Sequence, residues 1–342
     1  MKKVKKTIIV SVSVLLLLCS MLIAIGALYE QYTLRNIFQD YPPPGERFDI
    51  GGRFLHANVQ GDKSDETPTV VIEAGTGSWS EDWKIVQQQL SKDVQVVTYD
   101  RAGYGWSDPS SEPLSSEQLT SDLHALLEEV GVDTPIILVA HSSGGIYSRM
   151  YIEHYPKDVM GLILVDARHE GFSEQFSEYT EAMLAAETQK WNSFLARIGA
   201  IRLMNGIFAP DHLPEQFDTD VYMNVLWDRH FFDIITEEVG NMRRFERELS
   251  PLPEGIPITV ITPDTHYMNA VELGFSKDDE LLLQQGWYDH QQAFAAERHV
   301  IAENSTHNVM FDRPELIVEE TLRMIKTIQK EKNWIGMGKP QN

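Results

Sequence analysis

Cysteine is almost missing from this 342-residue chain: the one copy, Cys19, sits inside an apolar run near the start. No intrachain disulfide can therefore staple the rest, and no thiol cluster is available to hold a metal. Basic side chains are scarce as well. Twenty-nine Lys and Arg stand against 51 Asp and Glu, a formal net charge of -22. That balance excludes a nucleic-acid partner, which needs clustered cations to neutralise phosphates. H-E-x-x-H does not occur, and no Gly-rich loop with a lysine follows the first central strand, so no metal or nucleotide cofactor is expected. Internal repeats and low-complexity tracts are also lacking. What is present is ordinary for a folded chain, with 42% apolar and 23% charged residues, enough for a sizeable core.

One long hydrophobic run does occur. "MKKVKK" places Lys2, Lys3, Lys5 and Lys6 ahead of Ile8 to Tyr29, a stretch with no charge. Read as a helix, it would reach about 33 Å, enough to cross a bilayer core. Residues 1–30 are therefore expected to form an uncleaved signal-anchor in the cell membrane. Ala24 and Gly26 offer a weak small-residue cleavage site, whose use would instead release a secreted body. Basic flanks stay cytoplasmic, so the N-terminus should lie inside and the body outside. Residues 1–30 hold four of the lysines and one carboxylate, Glu30, so 25 basic and 50 acidic residues remain for that body.

Residues 31–47, ending in "YPPPGER", read as a linker stiffened by three prolines. "RFDIGGRFLHANVQG" then alternates apolar and polar residues around Gly51-Gly52, a hairpin pattern. From residue 67 the short β-branched runs "TVVIEAG", "VQVVTYD", "PIILVAH" and "GLILVDA" alternate with helix candidates near 80–91, 115–131 and 144–155. "PITVIT" and "RHVIAEN" follow after a long gap. Continuous apolar strands alternating with helices predict an α/β fold with a doubly wound, mostly parallel sheet covered on both faces. The gap carries Trp191, Phe194, Leu195, Leu203, Met204, Phe208, Met223, Trp227, Phe231 and Phe232 at helical spacing, which predicts a helical cap. The expected division is a core over 48–170 and 251–331, a cap over 171–250 between the sixth and seventh strands, and a frayed tail over 332–342.

The chemistry centres on "ILVAHSSGGIYSRM". An apolar strand ends abruptly and a helix begins, so a serine at the turn is held in a strained conformation needing small residues two before and two after. Around Ser142 those neighbours are Ala140 and Gly144; around Ser143 they are His141 and Gly145, and a histidine would crowd the turn. Ser142 is thus the candidate nucleophile. Ser143 would donate its backbone N–H to a developing oxyanion, helped by the helix N-terminus. A serine hydroxyl is inert without a base. His307, in a loop after the last apolar run, can reach the carboxyl ends of the strands, where catalytic groups gather.

These motifs, in order "EAGTGS", "YDRAGYGWSD", "VAHSSGG", "VMGLILVDA" and "STHNVMFDRPELI", resemble the α/β-hydrolase fold superfamily of the serine-nucleophile type, esterase- or lipase-like, over about residues 48 to 330. The resemblance implies a triad and a cofactor-free acyl-enzyme mechanism. It makes Thr76 the second oxyanion N–H donor, since Ala74-Gly75 stands where the family usually has His-Gly. It assigns Asp100, Gly103 and Gly105 to a structural loop. The family's two positions for the acid correspond to Asp166, preferred for its register at a strand end, and Asp264; Glu170 and Asp108 are remoter choices. The expected substrate is a small acyl compound with an apolar portion. Amidase, aminopeptidase or acyltransferase action would use the same groups, and a ligand-sensing protein with little or no catalysis would keep the same fold.

Overall fold

The computed structural model describes residues 2–187, 190–204, 214, 217–252, 255–265, 268, 270–294 and 296–337. Phe208 and residues 338–342 of the expected tail lie outside that set. The hairpin forms as its sequence predicts: β1 (Glu46–Asp49) pairs antiparallel with β2 (Phe54–Gln60). Gly51 and Gly52 take φ of 95° and 119° between them, a region that favours glycine. Strands β3 (Val70–Glu73), β4 (Val96–Tyr99), β5 (Ile136–His141), β6 (Val159–Val165), β7 (Ile258–Pro263) and β8 (Arg298–Ala302) are parallel to one another. The sheet runs β1-β2-β4-β3-β5-β6-β7-β8, with β2 antiparallel to β4.

Both faces of the central strands are covered, which is why β3, β5 and β6 are apolar at nearly every position. On β5, Ile136, Leu138 and Ala140 point to one core layer and Ile137 and Val139 to the other. The first layer is completed by Leu123 and Leu126 of α3 (Ser116–Val130) and Tyr151 and Ile152 of α4 (Gly144–His154). The second layer takes Val86 and Leu90 from α2 (Lys84–Leu90) and Ile317, Met324 and Ile325 from the closing helix, Pro314–Met337. Each such side chain, fully buried, contributes about 1.5–3 kcal/mol. Helix α3 shows the local rules clearly. The Ser115 side chain accepts the Gln118 N–H at 3.1 Å to cap its start, and Gly131, left-handed at φ 74°, ends it.

Between β6 and β7 the chain is helical, as expected of the insert. Its longer helices and turns include α5 (Phe172–Gln175), α6 (Ser177–Glu187), α7 (Lys190–Arg197), α8 (Ala200–Leu203) and α9 (Arg229–Glu248). The N-terminal helix α1 spans Lys2–Asp40, so it continues through much of the segment expected to be linker. Nothing in residues 31–40 breaks a helix; Pro42 is the first residue that disfavours helix at its predecessor.

Contacts divide the chain into two compact units, Met1–Pro43 with Gln189–Ile234 and Pro44–Thr188 with Ile235–Asn342. The second contains the whole sheet. Within the first, Gly26, Glu30 and Ile37 of α1 are buried on one stripe, and Glu30 receives Arg202 through two 2.9 Å hydrogen bonds.

The sheet allows no side chain at one crossing. A Cβ added to Gly144, the first residue of α4, would sit 2.4 Å from the Glu73 carbonyl oxygen of β3. Gly144→Ala is expected to cost about 1–3 kcal/mol and lower the melting temperature by a few degrees. Gly240, inside α9 with nothing within 4 Å of its added Cβ, should accept alanine with an unchanged or higher melting temperature. Thermal unfolding of the two variants checks both, and an undisturbed Gly144→Ala would contradict the packing described.

Candidate active site

Three non-glycine residues among those described have positive φ: Ser142 at 53°, Asp166 at 41° and Asn304 at 57°. They follow β5, β6 and β8, at one edge of the sheet. For Ser142 the conformation is held by its own backbone. Its N–H donates to the Val165 carbonyl at 3.2 Å, and its carbonyl accepts from Gly145 at 3.1 Å and Arg168 at 2.9 Å. The small neighbours matter as the sequence suggests. Ala140 is fully buried, and a Cβ on Gly75 would lie 2.9 Å from the Ser142 Cβ.

The His307 imidazole Nδ1 lies 2.6 Å from Asp166 Oδ2. Asp166 has no exposure to solvent, and its other oxygen accepts the indole N–H of Trp287 at 2.6 Å. Trp287 belongs to α10 (Lys277–Ala293), and sequence reasoning passed it over. A buried carboxylate with two donors is acceptor-only, so it fixes the His307 proton on Nδ1 and leaves Nε2 with its lone pair. The same loop is tied from the other side: His141 Nε2–H donates to the His307 carbonyl at 2.9 Å, with the two rings 4.5 Å apart.

The other carboxylates weighed from sequence are occupied elsewhere. Asp264 accepts the backbone N–H groups of Asn304 at 2.8 Å and Ser305 at 3.1 Å, which hold its carboxyl below the ordinary range. It therefore braces the loop that carries His307. Glu170 pairs with Arg149, and Asp108 with Arg47 and the Phe54 N–H.

The two expected oxyanion donors are adjacent but not equally open. The Thr76 N–H donates to the Ser143 hydroxyl at 2.7 Å, and the hydroxyls of Thr76 and Ser143 are 2.9 Å apart. Ser143 itself heads α4, where backbone N–H groups have no partner within the helix. The loop bearing Thr76 is gripped from behind by Arg101, which donates to the carbonyls of Ala74 at 2.5 Å and Gly75 at 2.9 Å. Arg101 also pairs with Glu73 at 2.9 Å and with Glu238 of α9 at 3.0 Å. Burial pushes Glu73 above the usual carboxylate range, the guanidinium offsetting only part of that cost. Asp100 does shape its turn, accepting from His56, Ser80 and Trp106, and a Cβ on Gly105 would lie 2.4 Å from it.

A mostly parallel sheet with a serine on a left-handed strand-to-helix turn, and a buried Asp–His pair at the same edge, defines a hydrolase-type α/β architecture. The Alpha/beta hydrolase family model matches residues 70–320, and the chain belongs to that family. Among relatives, it is 23% identical over 341 residues to the uncharacterized protein YbdG of Bacillus subtilis, covering 96% of this chain and 98% of that one. It is 28% identical over 230 residues to the probable transporter EfuK of Hormonema carpetanum, covering 62% of this chain but only 30% of that one. Likewise it spans 55% of the Bacillus subtilis protein YqjL, at 31% identity over 143 residues. Two solved structures share the fold: a mutant of the Vigna radiata epoxide hydrolase (TM-score 0.61, 18% identity, 82% of this chain and 98% of that). The other is a thermophilic esterase from Thermogutta terrifontis (TM-score 0.57, 17% identity, 83% and 98%).

Trp287 provides a test of the Asp166 environment. Trp287→Phe keeps the ring but removes the donor, and should lower kcat roughly 5- to 30-fold, the worth of about 1–2 kcal/mol, with little change in KM. Steady-state kinetics on an ester substrate reads the effect. An unchanged kcat would reduce the indole to packing alone.

Proposed function

We propose that this chain is a membrane-anchored serine hydrolase that cleaves an ester or related acyl compound with an apolar portion. The observation that carries the reading is the 2.6 Å contact of His307 with the buried Asp166, made at the strand end next to the left-handed Ser142. In this mechanism His307 Nε2 removes the Ser142 hydroxyl proton as Oγ attacks the acyl carbon. Asp166 keeps the imidazole in the required tautomer and stabilises its cation. The tetrahedral oxyanion is held by the Ser143 N–H and by the Thr76 N–H, once the Ser143 hydroxyl gives way to it. His307 then protonates the leaving alcohol, and the acyl-enzyme forms. Water, deprotonated by His307, attacks that acyl carbon; Ser142 leaves with the proton, and the acid is released.

A serine at the nucleophile position speaks against epoxide-hydrolase chemistry, which in this family resembles the present site but uses an aspartate there. The aromatic residues and methionines of the insert favour an apolar acyl or alcohol portion. Short and medium p-nitrophenyl esters, with amide analogues alongside, separate ester cleavage from amide cleavage. Ser142→Ala should lose about 10⁶-fold and Asp166→Asn about 10⁴-fold in kcat, while Asp264→Asn, which keeps an acceptor oxygen for its loop, stays near normal. A fluorophosphonate should label Ser142. Turnover by Ser142→Ala equal to that of the parent would sink the assignment and leave a ligand-binding protein. Loss in Asp264→Asn but not in Asp166→Asn would reassign the acid.

The N-terminal helix is read as an uncleaved signal-anchor in the cell membrane. An 18-residue window of it has a mean hydropathy of 3.0 and none of it is buried within the chain. The four lysines before it support a cytoplasmic N-terminus and an extracytoplasmic body. Protease added to intact cells should degrade the body; a protected body would reverse the orientation.

A further inference from the structure

In α1 the exposure changes abruptly. Every residue from Val4 to Ile25 is exposed on all sides of the helix. From Gly26 onward one stripe is buried, and Gly26 is the point of closest contact. A Cβ there would lie 2.2 Å from the Ile198 carbonyl oxygen, and one on Gly199, left-handed at φ 68°, would lie 2.8 Å from the Gly26 carbonyl oxygen. One turn further along, Glu30 and Arg202 form a buried bidentate pair, and Arg202 also donates to the Asn224 carbonyl and side-chain oxygens. Helices α7 and α8 are thus fixed against α1 at the level where its charge-free stretch ends.

These two helices expose the large apolar side chains of their unit that the sequence led one to expect inside a cap. Trp191 and Leu203 are each 68% exposed, and Phe194 and Met204 each 41%. Trp191 and Phe194 stack with ring centroids 5.4 Å apart on one face of α7, about two turns and one turn before Ile198, which meets Gly26. On the other side of α7, Ser193 is buried against Asp233, which also receives Arg197. An amphipathic helix with an exposed aromatic pair, its C-terminal end packed where a bilayer-length run stops, has the composition of an interfacial segment.

We infer that α7 and the end of α8 form a membrane-docking surface, with Trp191, Phe194, Leu203 and Met204 seated in the headgroup–acyl boundary of the bilayer that α1 crosses. The occupant is lipid because Ile198 and Gly199, between α7 and α8, pack on Gly26, where the run of α1 that is exposed on all sides stops. The inference rests on the reading of α1 as a membrane span.

The test uses the full chain in phosphatidylcholine vesicles containing some phosphatidylglycerol, with an environment-sensitive NBD label on single cysteines. The native Cys19 reports on the span. In a Cys19→Ser background, Phe194→Cys and Leu203→Cys report on the patch, and Asp65→Cys on an exposed site of the sheet-bearing unit. Lipids carrying a nitroxide near the headgroup or near the chain end serve as quenchers. The expected result is deep quenching at Cys19, blue-shifted emission with shallow quenching at both patch positions, and neither change at Asp65→Cys. Water-like emission at both patch positions with Cys19 still quenched overturns the docking surface and leaves the anchor intact. Absence of quenching at Cys19 overturns the span, and the docking surface with it.

Discussion

A buried guanidinium organises the sheet edge on which the candidate chemistry depends. Arg101 follows β4, yet its donors reach the end of β3, the two carbonyls beyond it, and a carboxylate on α9. It faces two carboxylates, Glu73 and Glu238, so the cluster is held by hydrogen bonds as much as by charge. Tyr99 donates to Glu73, and Tyr104 to Glu238 at 2.8 Å. Removing Arg101 from such a set leaves uncompensated buried charge, which costs about 3–5 kcal/mol. The carbonyl grip has a directional consequence. Peptide planes whose oxygens are pulled toward Arg101 present their N–H groups to the opposite side, where Thr76 meets the Ser143 hydroxyl. The loop that carries Thr76 is thus braced by an arginine just beyond the neighbouring strand.

The strain at Ser142 and Asp166 is sustained by the same rigidity. Each non-glycine residue in the left-handed region costs on the order of 1–3 kcal/mol, and persists only where its surroundings over-determine it. Ser142 is pinned at both its N–H and its carbonyl, and the Asp166 N–H donates to Ile261 at 2.7 Å. Both follow strands buried on two faces, so neither end can relax by shifting the strand. Glycine at 75 and 144 then becomes a steric requirement, because the nucleophile turn and the β3–α4 crossing leave no volume for a methyl group.

Much of this was legible in the sequence, for identifiable reasons. Period and length of the apolar runs gave the parallel sheet, since strands covered on both faces cannot hide their composition. The small-residue rule favoured Ser142 over Ser143, register at a strand end favoured Asp166 over Asp264, and His307 stood out in the loop after the last apolar run; the structure brings His307 and Asp166 to 2.6 Å. Trp287 and Glu238 were not legible. Each is distant in sequence from the group it serves, 121 residues for Trp287 and Asp166 and 137 for Arg101 and Glu238, and neither sits in a motif. Nor was the engagement of the Thr76 N–H by the Ser143 hydroxyl, which depends on a side-chain rotation that no pattern encodes. A tryptophan at a buried helix position invites the reading of core packing, and only the geometry reveals its N–H as a donor.

The N-terminal helix shows a different limit of sequence reading. Hydropathy marks where the apolar run stops, but it cannot tell whether the next residues are a tether or a strut. Here Gly26 to Asp40 continues as helix, about 22 Å at 1.5 Å per residue, and buries Glu30 and Ile37 along its stripe. A flexible tether would let the attached unit sample many heights and tilts at modest entropic cost. A continuous helix locked by a bidentate ion pair removes that freedom. If the helix spans a bilayer, the height of α7 and α8 above the hydrocarbon is then set by the Gly26 contact and the Glu30–Arg202 pair. Residues with no catalytic part thereby decide which surface of the unit lies beside the lipid.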